Sequence, residues 1–238
     1  MENKIQQFKQ LVNKCDNIVF FGGAGVSTES GIPDFRSKDG LYNQQYKYPP
    51  ETILSHTFFM NKTEEFFKFY KLKMNSLKYQ PNITHIKLSE LEARGKLKAV
   101  ITQNIDGLHQ KAGSKVVYEL HGSVLRNYCM NCNKFYDAEY VFNSNGIPRC
   151  SCGGIIKPDV VLYEEGLNEE TIEKSIYAIQ NADLLIVAGT SLTVQPASGL
   201  INFFRGRNLV LINRDSTPYD NKANLVINDS LGKVFSNL

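Results

Sequence analysis

The sequence has 238 residues, an apolar fraction of 42%, a charged fraction of 21% and a formal net charge of +3. A chain of this length can bury a proper core, either as one large domain or as a large domain that carries a smaller one. The composition is that of a soluble globular protein. The small net charge is no argument for nucleic acid, although it is compatible with an acid-poor groove for an anionic ligand.

The first residues, MENKIQQFKQ, are polar and charged, and no apolar run approaches the length of a membrane helix. We therefore expect a cytoplasmic protein with no membrane partner. Ile5, Phe8, Leu11 and Cys15 recur at helical spacing and predict an amphipathic first helix.

The next stretch, residues 18–37 (IVFFGGAGVSTESGIPDFRS), carries the first functional signal. A short apolar run predicts a buried strand, and glycines follow it at once. A strand, a glycine turn and a helix start together hold a diphosphate on backbone N–H groups, and Ser27 and Thr28 offer hydroxyls for capping that helix. From Gly23 the spacing is GAGVST, which lacks the third glycine of the dehydrogenase fingerprint.

The segment Gly31-Ile32-Pro33 is expected to end this helix early. The loop that follows would then bring an acid, an aromatic ring and a cation close to the same phosphates. These three residues are Asp34, Phe35 and Arg36.

Residues 52–77 are predicted to be helical and rich in aromatic side chains, which indicates the core of a small helical module. Pro81-Asn82 opens a further helix that ends at Gly95. Further apolar runs at 98–102, 116–120, 184–188, 209–212 and 225–227 predict strands. Apolar strands separated by helices indicate an α/β fold with a parallel sheet.

Polar residues follow most of these strands directly. Because ligands of such sheets lie outside the carboxyl ends of the strands, we expect one shared site. The residues that would form it, after the glycine turn, are Gln103, Asn104, Ile105, Asp106, His121, Gly189, Thr190, Ser191 and Asn213.

There are four histidines. His121 lies between a strand end and a glycine, and imidazole titrates near neutral pH, so His121 is the natural general base. His56 and His85 are interpreted as structural. For His109, capping or packing is favoured over catalysis.

The cysteines indicate a metal site. Cys129 and Cys132 form one pair, Cys150 and Cys152 form another, and residues 133–149 separate them. Two short-spaced thiolate pairs at this distance are typical of a zinc ribbon, and four cysteine ligands leave no open coordination position. The sequence therefore predicts a structural Zn²⁺. The segment between the pairs has no basic stripe, so direct nucleic-acid binding is not expected.

Taken in order, these motifs resemble those of the sirtuins, the NAD-dependent protein-lysine deacylases. The matching segments are GAGVSTESGIPDFRS, TQNIDGLHQKAG, ELHG, the two cysteine pairs, KPDVVLYEE, GTSLTVQPASGL and INRD. The resemblance covers nearly the whole chain. In its short length, the chain is similar to bacterial or archaeal members of the family.

The resemblance implies a Rossmann-like domain made of residues 1–36, 82–122 and 157–238. It also implies a small inserted domain made of a helical module, residues 37–81, and a zinc-binding module, residues 123–156. NAD and an acyl-lysine peptide would meet in the cleft between the two domains.

It further implies roles for individual residues. His121 would deprotonate a ribose hydroxyl of NAD, with Asn104 and Asp106 orienting the carboxamide and ribose. Val160 and Val161 would pair with the substrate peptide as a strand. The remaining NAD contacts would come from Gly23, Ala24, Gly25, Thr28, Asp34, Phe35, Arg36, Gln103, Ile105, Gly189, Thr190, Ser191, Asn213 and Ser230.

The sirtuin resemblance leaves two alternatives. The first is protein mono-ADP-ribosyl transfer, which shares the first step with another acceptor. The second is a non-catalytic zinc module that senses NAD, which would predict loss of a residue such as His121 or Asn104, and both are present. The protein is expected to act as a monomer on acyl-lysine proteins or peptides.

Overall fold

The computed structural model describes residues 2–34, 40 and 46–238. Its helices are α1 (Glu2–Lys14), α2 (Pro50–Ile53), α3 (His56–Asn61), α4 (Thr63–Lys73), α5 (Ile83–Ala93), α6 (Leu108–Lys111), α7 (Ala138–Asn143), α8 (Glu169–Gln180) and α9 (Leu231–Phe235). Its strands are β1 (Ile18–Gly22), β2 (Leu97–Thr102), β3 (Val117–Glu119), β4 (Gly122–Cys129), β5 (Phe135–Asp137), β6 (Ile156–Val160), β7 (Leu184–Ala188), β8 (Asn208–Ile212) and β9 (Leu225–Ile227).

A six-stranded sheet forms the larger part of the molecule, in the order β3-β2-β1-β7-β8-β9. All neighbouring strands in it are parallel. Numbered within the sheet, this order is 3-2-1-4-5-6, the Rossmann arrangement, and the strand order reverses between β1 and β7. The α/β fold with a Rossmann-like sheet is confirmed.

Helices and loops cover both faces of this sheet, so its central strands are apolar throughout. All five residues of β1 and of β7 are buried. Alternate side chains enter different cores: Ile18 and Phe20 pack with α1, α5 and α9, whereas Val19 and Phe21 pack towards α8.

A second sheet of three antiparallel strands, in the order β5-β4-β6, belongs to the smaller part of the molecule. It shares one core with α2, α3 and α4, in which Phe59, Phe66, Phe67 and Tyr70 make edge-on and stacked ring contacts. The helical module and the cysteine module are therefore joined by a common aromatic core. Strand β6 crosses the domain boundary predicted between residues 156 and 157, and it pairs with β4 of this small sheet.

Within the described residues, none of the helices is both long and apolar enough to cross a bilayer.

Candidate active site at the carboxyl ends of the sheet

A cavity of about 670 Å³ opens where the loops after β2, β1, β7 and β8 meet. These four strands are neighbours, and the cavity lies at the point where the strand order reverses, as expected for a ligand site in such a sheet. Its lining includes the predicted site residues Ala24, Gly25, Thr28, Asp34, Gln103, Asn104, Ile105, Asp106, His121, Val160, Val161, Gly189, Thr190, Ser191 and Asn213.

Gly23 and Ser230 are outside this lining, although Asp229 and Leu231, on either side of Ser230, are part of it. Phe35 and Arg36 lie outside the described residues.

The glycines after β1 permit close contact with the loop after β7. Gly25 N–H donates to the Gly189 carbonyl at 2.8 Å. A Cβ at Gly25 would lie 2.7 Å from the Gly189 Cα, and one at Gly23 would lie 2.8 Å from the Thr190 Cβ. Both distances are too short for a side chain, so the two loops need glycine in order to pack together.

The helix expected after these glycines is instead a pair of short 3₁₀ turns, Ala24–Val26 and Thr28–Ser30. The prediction that Ser27 and Thr28 cap a helix is wrong: Ser27 makes no capping bond, and Thr28 Oγ1 donates to the Gly25 carbonyl at 3.0 Å. Gly31, with a φ of 90°, ends the second turn in the left-handed region. This early stop leaves too few residues for an α-helix.

Ser27 has a different role, which the sequence reasoning missed. Its hydroxyl is buried, donates to Asp106 Oδ2 at 2.6 Å and accepts from Asn104 Nδ2 at 3.0 Å. It therefore joins the loop after β1 to the loop after β2. The one available signal was a hydroxyl next to the glycine turn, and that signal did not identify its partners.

The Asp106 carboxyl group is held on several sides. The carboxylate Oδ1 accepts from the Leu108 N–H at 2.9 Å, and the backbone carbonyl of Asp106 accepts from Ser76 Oγ at 3.0 Å. Burial raises the pKa of Asp106, and the hydrogen bonds from Ser27 and Leu108 partly oppose that rise. Asp106 is thus fixed in position at the edge of the cavity.

His121 is oriented by a backbone group. Its Nδ1 lies 2.9 Å from the Gln103 carbonyl oxygen, which can only accept, so Nδ1 carries the proton and Nε2 is left as the acceptor. Burial lowers the pKa of His121, and the bond to Gln103 partly opposes this. At pH 7 the residue is therefore a neutral imidazole, and its basic Nε2 has no hydrogen-bond partner among the described residues.

Three strand ends are connected side by side. Gln103 Nε2 donates to Thr190 Oγ1 at 3.0 Å, and Thr190 N–H donates to Asn213 Oδ1 at 2.9 Å. Ser191 shares a hydrogen bond of 2.8 Å with Thr193. These contacts fix the loops after β2, β7 and β8 relative to one another.

The segment after β6 is bonded directly to the predicted base, because Val161 N–H donates to the His121 carbonyl at 3.0 Å. Two residues further on, the Tyr163 N–H donates to the Leu54 carbonyl and its own carbonyl accepts from the His56 N–H. This segment therefore bridges His121 and the helical module along one side of the cavity.

The net charge is compatible with an acid-poor groove, but the lining of the cavity is rich in acidic residues. Most charged side chains in the described part of the lining are carboxylates, with Lys73 and Arg214 as the cations. Such a lining favours positive charge within the cleft, and it leaves backbone N–H groups as the main means of holding phosphate. The acidic residues are Glu29, Asp34, Asp106, Glu164, Glu165, Asp215 and Asp229.

Four of the five cysteines form one cluster outside this cavity. The sulfurs of Cys129, Cys132, Cys150 and Cys152 all lie within 4.8 Å of one another, and three of the pairs are 3.4, 3.5 and 3.6 Å apart. Tetrahedral zinc with Zn–S bonds of about 2.3 Å requires sulfurs about 3.8 Å apart. All four thiols are free of disulfides, so number, chemistry and spacing fit a Zn²⁺ ion.

Comparison with known proteins agrees with this architecture. The family model described as the Sir2 family matches residues 23–196. An NAD-dependent protein deacetylase of Clostridium acetobutylicum is 61% identical over 236 residues, which cover 98% of this chain and 96% of that protein. One of Clostridium perfringens is 60% identical over 238 residues, covering 98% of each.

Solved structures are similar over the same length. A Sir2 complex with deacetylated p53 peptide and 3′-O-acetyl ADP-ribose has a TM-score of 0.90 at 38% identity, covering 98% of this chain and 96% of that chain. A Sir2 complex with p53 peptide and NAD⁺ has a TM-score of 0.86 at 39% identity, covering 98% and 95%. With the family model, the whole-length relatives and the cavity in agreement, this chain belongs to the Sir2 family.

Proposed function

We propose that this protein is an NAD-dependent protein-lysine deacetylase. The observation that carries the proposal is one cavity that is lined both by His121, whose Nε2 is the basic nitrogen, and by the network of Ser27, Asn104 and Asp106. Support comes from relatives of the same length that are named NAD-dependent protein deacetylases.

The residues of the loops after β1, β2, β7 and β8 have the chemistry needed to hold NAD. Ala24 lines a cleft with few cations, and its N–H, which has no backbone hydrogen bond among the described residues, suits a diphosphate oxygen. The Gly25 N–H is already bonded to the Gly189 carbonyl. Thr190, Ser191 and Asn213 offer hydroxyl and amide groups for phosphate or ribose. When bound, NAD supplies the ribose that accepts the acyl group, with release of nicotinamide. Gly23, Asp34, Phe35, Arg36, Gln103, Ile105, Gly189 and Ser230 remain further predicted contacts.

The protein's own contribution to the reaction is orientation and proton transfer. Asn104 and Asp106 orient the bound carboxamide and ribose, and the Ser27 hydroxyl keeps both side chains in place. His121 takes up a proton at Nε2, because its Nδ1 proton is committed to the Gln103 carbonyl. The surrounding carboxylates stabilise positive charge that develops in the cleft.

For the acyl-lysine peptide, we propose strand pairing with residues 160–161. Support comes from the bond between Val161 and His121, which places this segment beside the base. The domain boundaries at residues 36, 81 and 122 are retained as a proposal. The last boundary, predicted at residue 156, is proposed to lie after β6 instead, because β6 pairs with β4 of the small sheet.

One assay tests the function. The protein is incubated with NAD and an acetyl-lysine peptide, and nicotinamide and deacetylated peptide are quantified by mass spectrometry. We expect one nicotinamide per deacetylated peptide, and loss of both products in His121→Ala. Transfer of labelled ADP-ribose to protein without deacetylation would instead support mono-ADP-ribosyl transfer. Binding of NAD with no product would support a sensing module.

The metal site has its own test. Because four thiolates leave no open position, zinc holds the small sheet together and takes no part in the chemistry. Chelation of zinc, or Cys132→Ser, is expected to melt the small module and abolish deacetylation. Cys15→Ala, which removes the cysteine outside the cluster, is the matched control and should retain metal and activity. Full activity in the metal-free protein would refute a structural zinc.

We also propose a cytoplasmic location, supported by a cluster of four free thiols that requires reducing conditions. The monomeric state remains a prediction, which light scattering would test.

A further inference from the structure

Asn82 lies at the start of α5, outside the cavity lining, and both the oxygen and the nitrogen of its side-chain amide make hydrogen bonds. Its Oδ1 accepts from the Thr84 N–H at 3.0 Å, which caps the helix. Its Nδ2 donates to the Val26 carbonyl at 2.8 Å and to Ser30 Oγ at 3.0 Å. An amide nitrogen has two hydrogens, so both donors are committed to the loop after β1.

The two acceptors flank the turn that carries Ser27. One planar amide group therefore sets the separation between the Val26 carbonyl and the Ser30 hydroxyl. Because the Ser27 hydroxyl lies within hydrogen-bond distance of both Asn104 and Asp106, a displacement of this turn would change both contacts.

The backbone of Asn82 is itself held by a hydrogen bond to a buried side chain. Its backbone N–H donates to His85 Nδ1 at 3.2 Å, which completes a capping box, and His85 is fully buried. A second contact to this turn comes from α9, where the Gly232 N–H donates to Glu29 Oε1. Residues at the starts of two helices thus contact the second 3₁₀ turn.

We propose that Asn82 is a positioning residue for the cofactor loop: its amide holds the turn from Val26 to Ser30 in the geometry that NAD binding requires. This inference rests on the proposed function for the identity of the ligand. The contact between Asn82 and the loop stands on the geometry alone.

Two substitutions separate this role from helix capping. Asn82→Asp and Asn82→Ser both retain an oxygen that caps α5, since aspartate and serine are good N-caps. Neither can donate to the Val26 carbonyl and Ser30 together. Asn168 caps α8 through the same type of bond, to the Thr171 N–H at 2.9 Å, and is absent from the cavity lining. Asn168→Asp and Asn168→Ser are therefore the matched controls.

The first measurement is hydrogen exchange of the amides of residues 26–32 in the protein without ligands. Both Asn82 variants are expected to exchange there about tenfold faster than the wild type, because two hydrogen bonds are lost. The Asn168 variants should match the wild type. Unchanged exchange in both Asn82 variants would overturn the proposal. This result is independent of any enzymatic activity.

The second measurement compares the two substrates. The KM for NAD is expected to rise about tenfold in the Asn82 variants, while the KM for acetylated peptide stays within about twofold of the wild type. Equal increases in both values, or an NAD value equal to that of the Asn168 variants, would also overturn the proposal. If the wild type does not deacetylate at all, the proposed function fails, and the exchange experiment still decides the role of Asn82.

Discussion

The hydrogen bond from His121 Nδ1 to the Gln103 carbonyl decides which nitrogen of the ring is basic, and burial decides over which pH range it remains so. A histidine in water has a pKa of about 6.5. Because burial lowers the pKa of His121, its neutral form persists below that pH. We expect the acid limb of the kcat/KM profile for deacetylation to lie below pH about 6.5.

His121→Ala should lower kcat/KM by at least about 100-fold and remove this limb. Its thermal midpoint, compared with that of the wild type, shows whether the fold is retained. An acid limb above the ordinary histidine range, or one that survives in His121→Ala, would assign the ionisation to another group.

The buried hydroxyl of Ser27 is expected to matter for catalysis through its two hydrogen bonds. Ser27→Ala removes one hydrogen bond to the Asp106 carboxyl group and one from Asn104. We expect kcat/KM to fall about 10- to 100-fold, since two buried partners lose their contact. Ser114→Ala is the matched control, because that hydroxyl is also buried and has no hydrogen-bond partner in the described part of the chain. Equal activity of the two variants would contradict the role assigned to Ser27.

At the scale of elements, Arg126 on β4 links the two sheets. It contacts Glu119 on β3, two residues before His121, at 2.6 Å, and Asp159 on β6 at 2.7 Å. The Glu119 side chain is only 8% exposed. Removal of the cation would therefore leave one carboxylate unpaired and largely away from water.

Arg126→Gln is expected to lower the free energy of unfolding by about 2 kcal/mol, a value reduced from that of a fully buried pair because the arginine is partly exposed. The KM for peptide should also rise, since β6 ends at Val160, and Val160 and Val161 are proposed to pair with the peptide. Lys174→Gln, which breaks an exposed pair with Glu170, is the control and should cost under about 0.5 kcal/mol. Urea unfolding of both variants measures the difference, and equal losses would refute the link.

The sequence predicted strands best where every residue is apolar. Strands β7 and β9 have the predicted bounds, because each is a short, unbroken apolar run. Strand β6 was not recognised as part of the small sheet. Its sequence, IKPDV, is not an apolar run, because Lys157 and Asp159 interrupt it, and its partner β4 is distant in sequence.

The site was predicted as a set of strand ends, and the structure brings those ends together. Its internal contacts could not be predicted, because they join residues that are far apart in the chain. Ser27 is 79 residues from Asp106, and Asn82 is 56 residues from Val26. The local sequence pattern shows a hydroxyl at a turn and an asparagine at the start of a helix. The groups that these side chains contact depend on the order of the strands in the sheet.

For the whole molecule, the pH dependence of stability is expected to come in part from a buried pair of histidines between α5 and α6. The rings of His85 and His109 have centroids 4.7 Å apart, and both residues are almost fully buried. Burial lowers the pKa of His85 to about 4 and that of His109 well below the ordinary value, with repulsion from His85 adding to the effect on His109. Both are therefore neutral in the folded protein at pH 7.

These histidines make stability depend on pH. In the unfolded chain both titrate near pH 6.5, so below that pH the unfolded state binds protons that the folded state does not. The stability that these two neutral histidines contribute is fully present above pH about 6.5 and is lost as the pH falls towards 4. Between pH 7 and pH 5 the two histidines together should remove about 4 kcal/mol from the free energy of unfolding.

Two variants test this effect. In His85→Gln the amide can still accept from the Asn82 N–H in the capping box. In His109→Leu an apolar side chain replaces a ring whose nitrogens have no partner among the described residues. Each variant should show about half of the wild-type loss of stability between pH 7 and pH 5, measured by urea unfolding. Because His121 and the carboxylates remain unchanged in both variants, their titration is common to all three proteins. A pH dependence in both variants equal to that of the wild type would show that the buried histidine pair does not cause it.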